Sequence, residues 1–425
     1  MMEKTIQTHF PASNNLNRNI IPFAFFKNKR LSIYVIIFVL FCLFEFVAFK
    51  GVQAGSRSYN FYLSILIIGL FMAEFSINRQ FHIPLFDGIG LIIFSFFVFN
   101  IAAMLFSLDV SVSSRDITML LQLLFYYICA EIFYRKKYLL KQFALLMTIL
   151  GAIVSFYILL NYFYFFWQAG YFTNVSEGMI QYKFLFTNRN VMAYAILICI
   201  QFPFQMSRNA QKMWKIILYF TIGMMSLSII ATQSRAGLLL LALTFMLFIF
   251  KKDISSTTKV YILLFIFFCF LIMNYLFGSL WYTTVLMRFE MQSIMASELG
   301  EYGRLTWWPF ILKECLKYPF FGIGTGMSLE YLHFYPHNTY LSMLLERGLF
   351  TFIPFILILI YFLWLSIKLA SLAKPQHKYL FSALGGVLIV HYIFSLTGDF
   401  QNSKFIWLIF SILMAERVRL ILKKI

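Results

Sequence analysis

Apolar residues in this chain come in long blocks rather than at a short period. Polar intervals divide them into runs at about Leu31–Ala48, Phe61–Ile77, Leu85–Leu108, Ile117–Tyr134, Phe143–Phe165, Val191–Met206, Ile216–Thr232, Gly237–Phe250, Val260–Phe277, Phe350–Ile367, Leu380–Leu396 and Phe405–Leu420. Their lengths are those a helix needs to cross about 30 Å of hydrocarbon. A segment in lipid must satisfy its own backbone hydrogen bonds, so helices are expected; barrel strands would alternate. The pattern predicts twelve spans.

An even number of spans puts both termini on one side. With the termini inside, 23 of the 35 Lys and Arg residues fall in inner segments, as the positive-inside rule asks. The chain is 61% hydrophobic and 12% charged, which excludes a water-soluble globule. Its net charge of +18 is then a topology signal and an attraction to anionic lipid, not a nucleic-acid footprint. Four of the five cysteines, Cys42, Cys129, Cys199 and Cys269, lie in apolar runs, and Cys315 stands alone in an outer loop. No disulfide framework follows. No cleavable signal segment is read at the start, where Asn14, Asn15, Asn17 and Asn19 crowd a polar stretch.

The longest polar interval runs from about 279 to 349 and concentrates Trp, Gly, His and charge. Within it Leu305, Trp308, Leu312, Cys315 and Leu316 recur at helical spacing, which predicts an amphipathic helix along the interface, ending at Pro319. Gly322, Gly324 and Gly326 read as a turn; a phosphate cradle is the sharper alternative. Asn338 or Thr339 can cap the following helix, and His337 precedes them. Upstream, TQSRAG places Arg235 at an outer junction, where a forked guanidinium suits phosphate oxygens or a lipid head group alike. Arg189, between Asn188 and Asn190, reads as a cap region or as the rim of a glycan site. Among acids in or near apolar runs, Glu74 and Glu131 are expected to snorkel beside Arg79 and Arg135, while Glu45 is open. Asp399 lies in the last outer loop.

TQSRAG, GRLTWWPFILKECLKYPFFGIGTG, YPHNTYLSMLLERGL and a late GD before the last span, taken in order, resemble the O-antigen ligase and polymerase superfamily of bacterial membrane glycosyltransferases. The likeness covers roughly Phe184–Leu413; the first five spans agree only in hydropathy and number. It implies metal-independent transfer of a glycan from undecaprenyl diphosphate, with no cofactor. It implies diphosphate binding by Arg235 and Arg304, a catalytic base at His337, and a supporting acid at Asp399. Arg189, Asn338 and Tyr340 are the candidate rim for glycan or acceptor. The acceptor implied is lipid A-core for a ligase, a second carrier-linked repeat for a polymerase, or a protein for an O-oligosaccharyltransferase. A transporter or flippase, from a different class, would show inverted repeats and more charges inside its spans. No Asp-x-Asp pair and no GxxxxGK[ST] loop occurs.

The expectation is therefore an all-α polytopic protein of the bacterial inner membrane, with about 12 transmembrane helices and cytoplasmic termini. Residues 1–30 form a cytoplasmic segment and 31–278 hold spans 1–9. Residues 279–349 form a large, partly helical periplasmic loop carrying the site, and 350–425 hold spans 10–12 with a short tail.

Overall fold

A computed structural model describes residues 32–46, 59–77, 81–84, 86–113, 120–168, 189–232, 234–249, 260, 264, 267, 268, 271, 304–334, 336–398 and 403–422. These residues form α1 (Ile33–Phe46), α2 (Tyr59–Ile77), α3 (Gly88–Leu105), α4 (Val110–Ser113), α5 (Leu120–Arg135), α6 (Leu139–Gln168) and α7 (Arg189–Met206). They continue as α8 (Lys212–Ala231), α9 (Arg235–Ile249), α10 (Arg304–Lys317), α11 (Ser328–Leu332), α12 (Thr339–Leu372), α13 (Pro375–Phe394) and α14 (Lys404–Leu422). Every expected apolar run except Val260–Phe277 coincides with one of these helices; that run lies largely outside the described residues.

Among the described residues, five helical stretches are long and apolar enough to cross a membrane: Gly88–Leu105, Leu139–Asn161, Lys212–Ala231, Thr339–Leu372 and His377–Phe394. Shorter apolar helices run over Ile33–Cys42, Tyr62–Ser76 and Arg235–Ile249. Large apolar side chains face outward along them: Ile153, Phe156, Phe220, Leu239, Ile360 and Ile367 are each more than half exposed. In water this would cost about 25 cal/mol for each Å² of apolar surface, whereas lipid removes the penalty.

The helices share one apolar core. Helix α14 lies on α5, α12 on α3 and α13, and α13 on α7, which also packs on α6 and α8. Hydroxyls inside this core bond across helices: Ser228 donates to the Ser155 carbonyl at 2.9 Å, and Ser411 to that of Tyr126 at 2.9 Å. A hydroxyl without a partner in hydrocarbon would be costly, so these bonds help set which helices pair.

Two expectations change. Glu131 does not snorkel but is fully buried. Its carboxylate accepts from the Arg135 Nε at 2.8 Å and the His82 and Ile83 amides at 2.9 and 3.2 Å, with the His82 ring 2.8 Å away. The acid therefore ties the segment before α3 to α5, and its cost of burial is offset by several bonds rather than by water. Glu74 pairs with Lys136 at 2.8 Å and accepts from the Tyr34 hydroxyl at 2.9 Å. Arg79 and the Glu45 side chain lie outside the described residues.

The second change is one of extent: the helix expected to be capped by Asn338 or Thr339 does begin at Thr339, and it continues into the apolar run read from Phe350 as one element. The Asn338 side chain accepts from the Tyr340 and Leu341 amides at 3.0 and 3.2 Å and so supplies the expected N-cap. Helix α12 is interrupted at Gly348, whose φ of 67° and ψ of −177° are not helical.

Candidate functional site

Arg235 is the first residue of α9, and Arg189 is the first described residue of α7. Ser234, one position before Arg235, accepts from the Gly237 amide at 3.1 Å and so caps α9. The same hydroxyl donates to Asn190 Oδ1 at 2.7 Å, fastening the start of α9 to the start of α7. Gly237 permits the approach, since a Cβ there would lie 2.6 Å from that of Ala193. Thus the start of α9, opened by Arg235, meets the first described residues of α7, Arg189 and Asn190, at one end of the bundle. A helix start carries partial positive charge, which penalises a cation there by roughly 0.3–1 kcal/mol and favours an anion.

Helix α13 ends at this same place. Tyr194, in the second turn of α7, bonds His391 Nδ1 at 2.5 Å, and both side chains are buried. One turn on, the Ser395 carbonyl accepts from the Thr339 amide at 2.8 Å, and Thr339 Oγ1 donates to the Gly398 carbonyl at 2.8 Å. Thr339 opens α12, so the N-terminus of α12 and His337 just before it join those of α7 and α9.

His337 is exposed and sits at φ 49°. His333, four residues earlier, is also left-handed at φ 64°. Left-handed backbone costs a non-glycine residue about 1–2 kcal/mol, and such strain, held by surrounding structure, is concentrated at functional sites. Here the surrounding structure is explicit: α11 precedes His333 and the Asn338 cap follows His337.

The rest of the loop is built around the break in α12. The Leu345 and Glu346 carbonyls, which lose helical partners at Gly348, accept from the Ile323 and Gly324 amides at 2.9 Å each. On the other side, the Leu349 and Phe350 amides donate to the Pro319 and Phe320 carbonyls at 2.8 and 3.2 Å. The glycine segment thus replaces the missing helical bonds, which a break within an apolar helix requires. Side chains would prevent it: a Cβ on Gly322 would come within 2.4 Å of the Glu346 backbone, and one on Gly348 within 2.3 Å of that of Phe320. The Gly-x-Gly stretch is therefore a packed turn. It is also held from the N-terminal half of the chain. Ser107 Oγ and Leu108 N both bond the Ile323 carbonyl, at 3.3 and 3.0 Å.

Helix α10 covers this turn. Ile311 and Cys315 are buried with Ile323, Met327, Leu332 and Leu345 in a second small apolar core. The expected apolar face is split: Trp308 and Cys315 face this core, while Leu312 and Leu316 are exposed at 47% and 79%. Glu314 is on the covered side, held by Lys317 Nζ and the Tyr331 hydroxyl at 2.8 Å each. The bond to Lys317, then that to Tyr331, keeps its carboxyl below the usual carboxylate value. Burial raises the Cys315 thiol to about 11, so it stays protonated and unreactive at neutral pH. Glu346, at the break, accepts from the Ser328 hydroxyl at 2.6 Å and fixes α11.

Arg304 opens α10, with only its backbone described. Three residues on, the Trp307 ring lies 4.3 Å from that of Phe334, three residues before His337. The start of α10 is thereby held beside the His337 segment. The polar groups of Asn338 and Tyr340 are engaged in the fold, the first as the α12 cap and the second donating to the Tyr392 carbonyl at 2.8 Å. Asp399 lies outside the described residues, next to Gly398.

Sequence reasoning passed over Tyr194 and His391, which sit under the site. The signal was available, since a histidine within an apolar run is expensive and seldom idle. Glu346 and its neighbour Arg347, fully buried at the break, were likewise read only as part of a motif.

Residues 220–356 match the family described as O-antigen ligase, over about a third of the 425 residues. The matched stretch runs from α8 through the break in α12 and contains Arg235, Arg304 and His337. No curated protein matches the chain. The match supports a relation of this region to the O-antigen ligase superfamily, whose members are glycosyltransferase-like enzymes, and with the five membrane-length helices it points to a membrane protein.

Proposed function

We propose that this member of the O-antigen ligase superfamily is an O-antigen ligase. It moves a glycan from undecaprenyl diphosphate to lipid A-core on the periplasmic face of the inner membrane, in lipopolysaccharide biosynthesis. The observation that carries the reading is the Ser234–Asn190 bond, which sets the start of α9, opened by Arg235, beside the Arg189 end of α7. A positive helix start that opens on an arginine suits an anion such as a diphosphate.

In this reading Arg235 and Arg304 bind the diphosphate. The acceptor hydroxyl oxygen attacks the anomeric carbon as the bond from that carbon to the diphosphate oxygen breaks. The electron pair leaves with undecaprenyl diphosphate, whose growing charge the arginines meet without reorganisation. The acceptor proton passes to His337. Asp399 orients His337 or the acceptor, and Arg189 lines the glycan path. The reaction needs no metal, because the leaving group is already a stable anion once its charge is met. In this reading the chain has about twelve spans, a large periplasmic loop and cytoplasmic termini, and the chemistry takes place at the outer surface with the carrier-linked polymer and lipid A-core. Membrane lipid surrounds the helices, and nucleic acid has no role.

The lipopolysaccharide profile of a deletion strain tests the proposal. Loss of a ligase leaves core without O chain and polymer stranded on the carrier. Core bearing one repeat would instead identify a polymerase, and an unchanged profile with a missing glycoprotein would identify a protein acceptor.

A further inference from the structure

A cavity of about 310 Å³ lies between α7, α9, α12 and α13, in the halves of those helices far from His337. Its lining mixes apolar side chains with the polar groups of Gln201, Gln205, Thr244, Ser366 and Ser382. Gln201 is already spent on Thr244 and the Leu197 carbonyl, and Ser366 on the Leu363 carbonyl. These bonds leave a wall fit for hydrocarbon. Leu247 and Ile367, on its rim, are 46% and 63% exposed, so the cavity opens toward the surroundings of the bundle rather than into the core.

The mouth is basic. Just past the end of α7 stands Arg208, whose guanidinium donates to Gln205 Oε1 at 3.1 Å. Just past the end of α12, as the residue before α13, stands Lys374, and one turn before Ser382 on α13 stands Lys378, both exposed. The segments 206–215 and 368–378 contain no Asp or Glu to neutralise them. Three cations, just past the ends of α7 and α12 and in the first turn of α13, therefore lie toward the same end of the cavity.

We propose that this cavity holds an acyl chain of an anionic phospholipid whose phosphate rests among Arg208, Lys374 and Lys378. A neutral lipid would fill the hydrocarbon wall equally well but bring no net negative charge to the basic end, and a soluble anion would leave the cavity empty. The site is at the opposite end of the bundle from Arg235 and His337, so it is independent of the donor and acceptor chemistry.

The test uses the full chain in phosphatidylcholine nanodiscs with a trace of phosphatidylglycerol carrying a diazirine on one acyl chain. After illumination, labelled peptides are expected from α9 and α13 at lining residues such as Leu243 and Ser382. Unlabelled phosphatidylglycerol should compete and phosphatidylcholine should not. Removing the charges by Arg208→Gln, Lys374→Gln and Lys378→Gln should lower labelling about fivefold for each charge lost. Ser382→Leu, which fills the cavity but keeps the cations, should lower it as well, and this second variant stands if the triple variant does not fold. Equal labelling by a diazirine phosphatidylcholine, displacement by polyprenyl phosphate at equal concentration, or labels confined to residues away from the lining would overturn the proposal. Because the readout is bound lipid, it is unaffected by which glycan reaction the enzyme performs.

Discussion

Ser234 Oγ lies 2.7 Å from Asn190 Oδ1, and this one bond sets the start of α9, opened by Arg235, beside the Arg189 end of α7. Ser234→Ala removes both the α9 cap and the link to α7, at about 1 kcal/mol for the cap. Transfer should weaken mainly through a higher KM for the carrier-linked donor, measured with purified enzyme in detergent. A change confined to kcat would detach this pair from donor binding.

Arg235→Ala should reduce kcat by about 10²–10³, the usual cost of losing one group that meets charge in the transition state. Arg235→Lys should recover little, since a lysine offers no planar fork to the diphosphate. Full activity in the lysine variant would show that only charge is needed there.

His337 combines an imidazole with a left-handed backbone, and two variants separate them. His337→Ala loses the ring but keeps the backbone strain that the histidine already carries; His337→Gly loses the ring while accepting φ 49° without cost. Both should lower transfer about 10²–10⁴-fold and remove the acidic limb from the residual pH–rate profile, while the backbone strain is read as the difference in thermal melting between the two variants. Retained transfer in the glycine variant would remove His337 from the chemistry.

Gly348 and Gly326 make a controlled comparison. Both have positive φ, 67° and 76°, but a Cβ on Gly348 meets the Phe320 backbone whereas one on Gly326 meets nothing within 4 Å. Gly326→Ala should cost about 1 kcal/mol from backbone strain alone. Gly348→Ala should cost clearly more and loosen the α10 covering, seen as faster hydrogen exchange over 304–334. Equal melting temperatures for the two variants would contradict the packed break.

Docking of α10 should weaken in acid. The bonds from Lys317 and Tyr331 depress the Glu314 carboxyl below 4.5, so its contribution is present above that value and lost as pH falls through the depressed one. Proteolysis of the 304–334 region should therefore rise below about pH 4.5 in the natural chain. In Glu314→Gln the step should vanish.

Much of the helical scaffold was legible. Runs such as Phe143–Phe165 and Ile216–Thr232 coincide with α6 and α8 because hydrocarbon permits little besides helix, so hydropathy alone decides the element. The site was legible as residue types, Arg235 after Ser234 and His337 before Asn338, since caps and motifs are local. Glu131 was misjudged because its partners, His82 and the amides after it, are about fifty residues away in sequence, and periodicity carries no information at that range. The face of α10 was read only in part for the same reason, as a helix with apolar residues on two sides does not announce which one meets protein.

Sequence by itself determined that this chain is helical, lipid-facing and equipped with cations and a histidine near helix starts. Each of those properties follows from a residue and its close neighbours. Only the tertiary structure decided that the glycines mend a broken helix and that α7, α9 and α12 begin at one place. It also decided that Tyr194 and His391 brace that place from below. Those facts rest on hydrogen bonds between residues up to two hundred positions apart, where local preference ends and packing chooses.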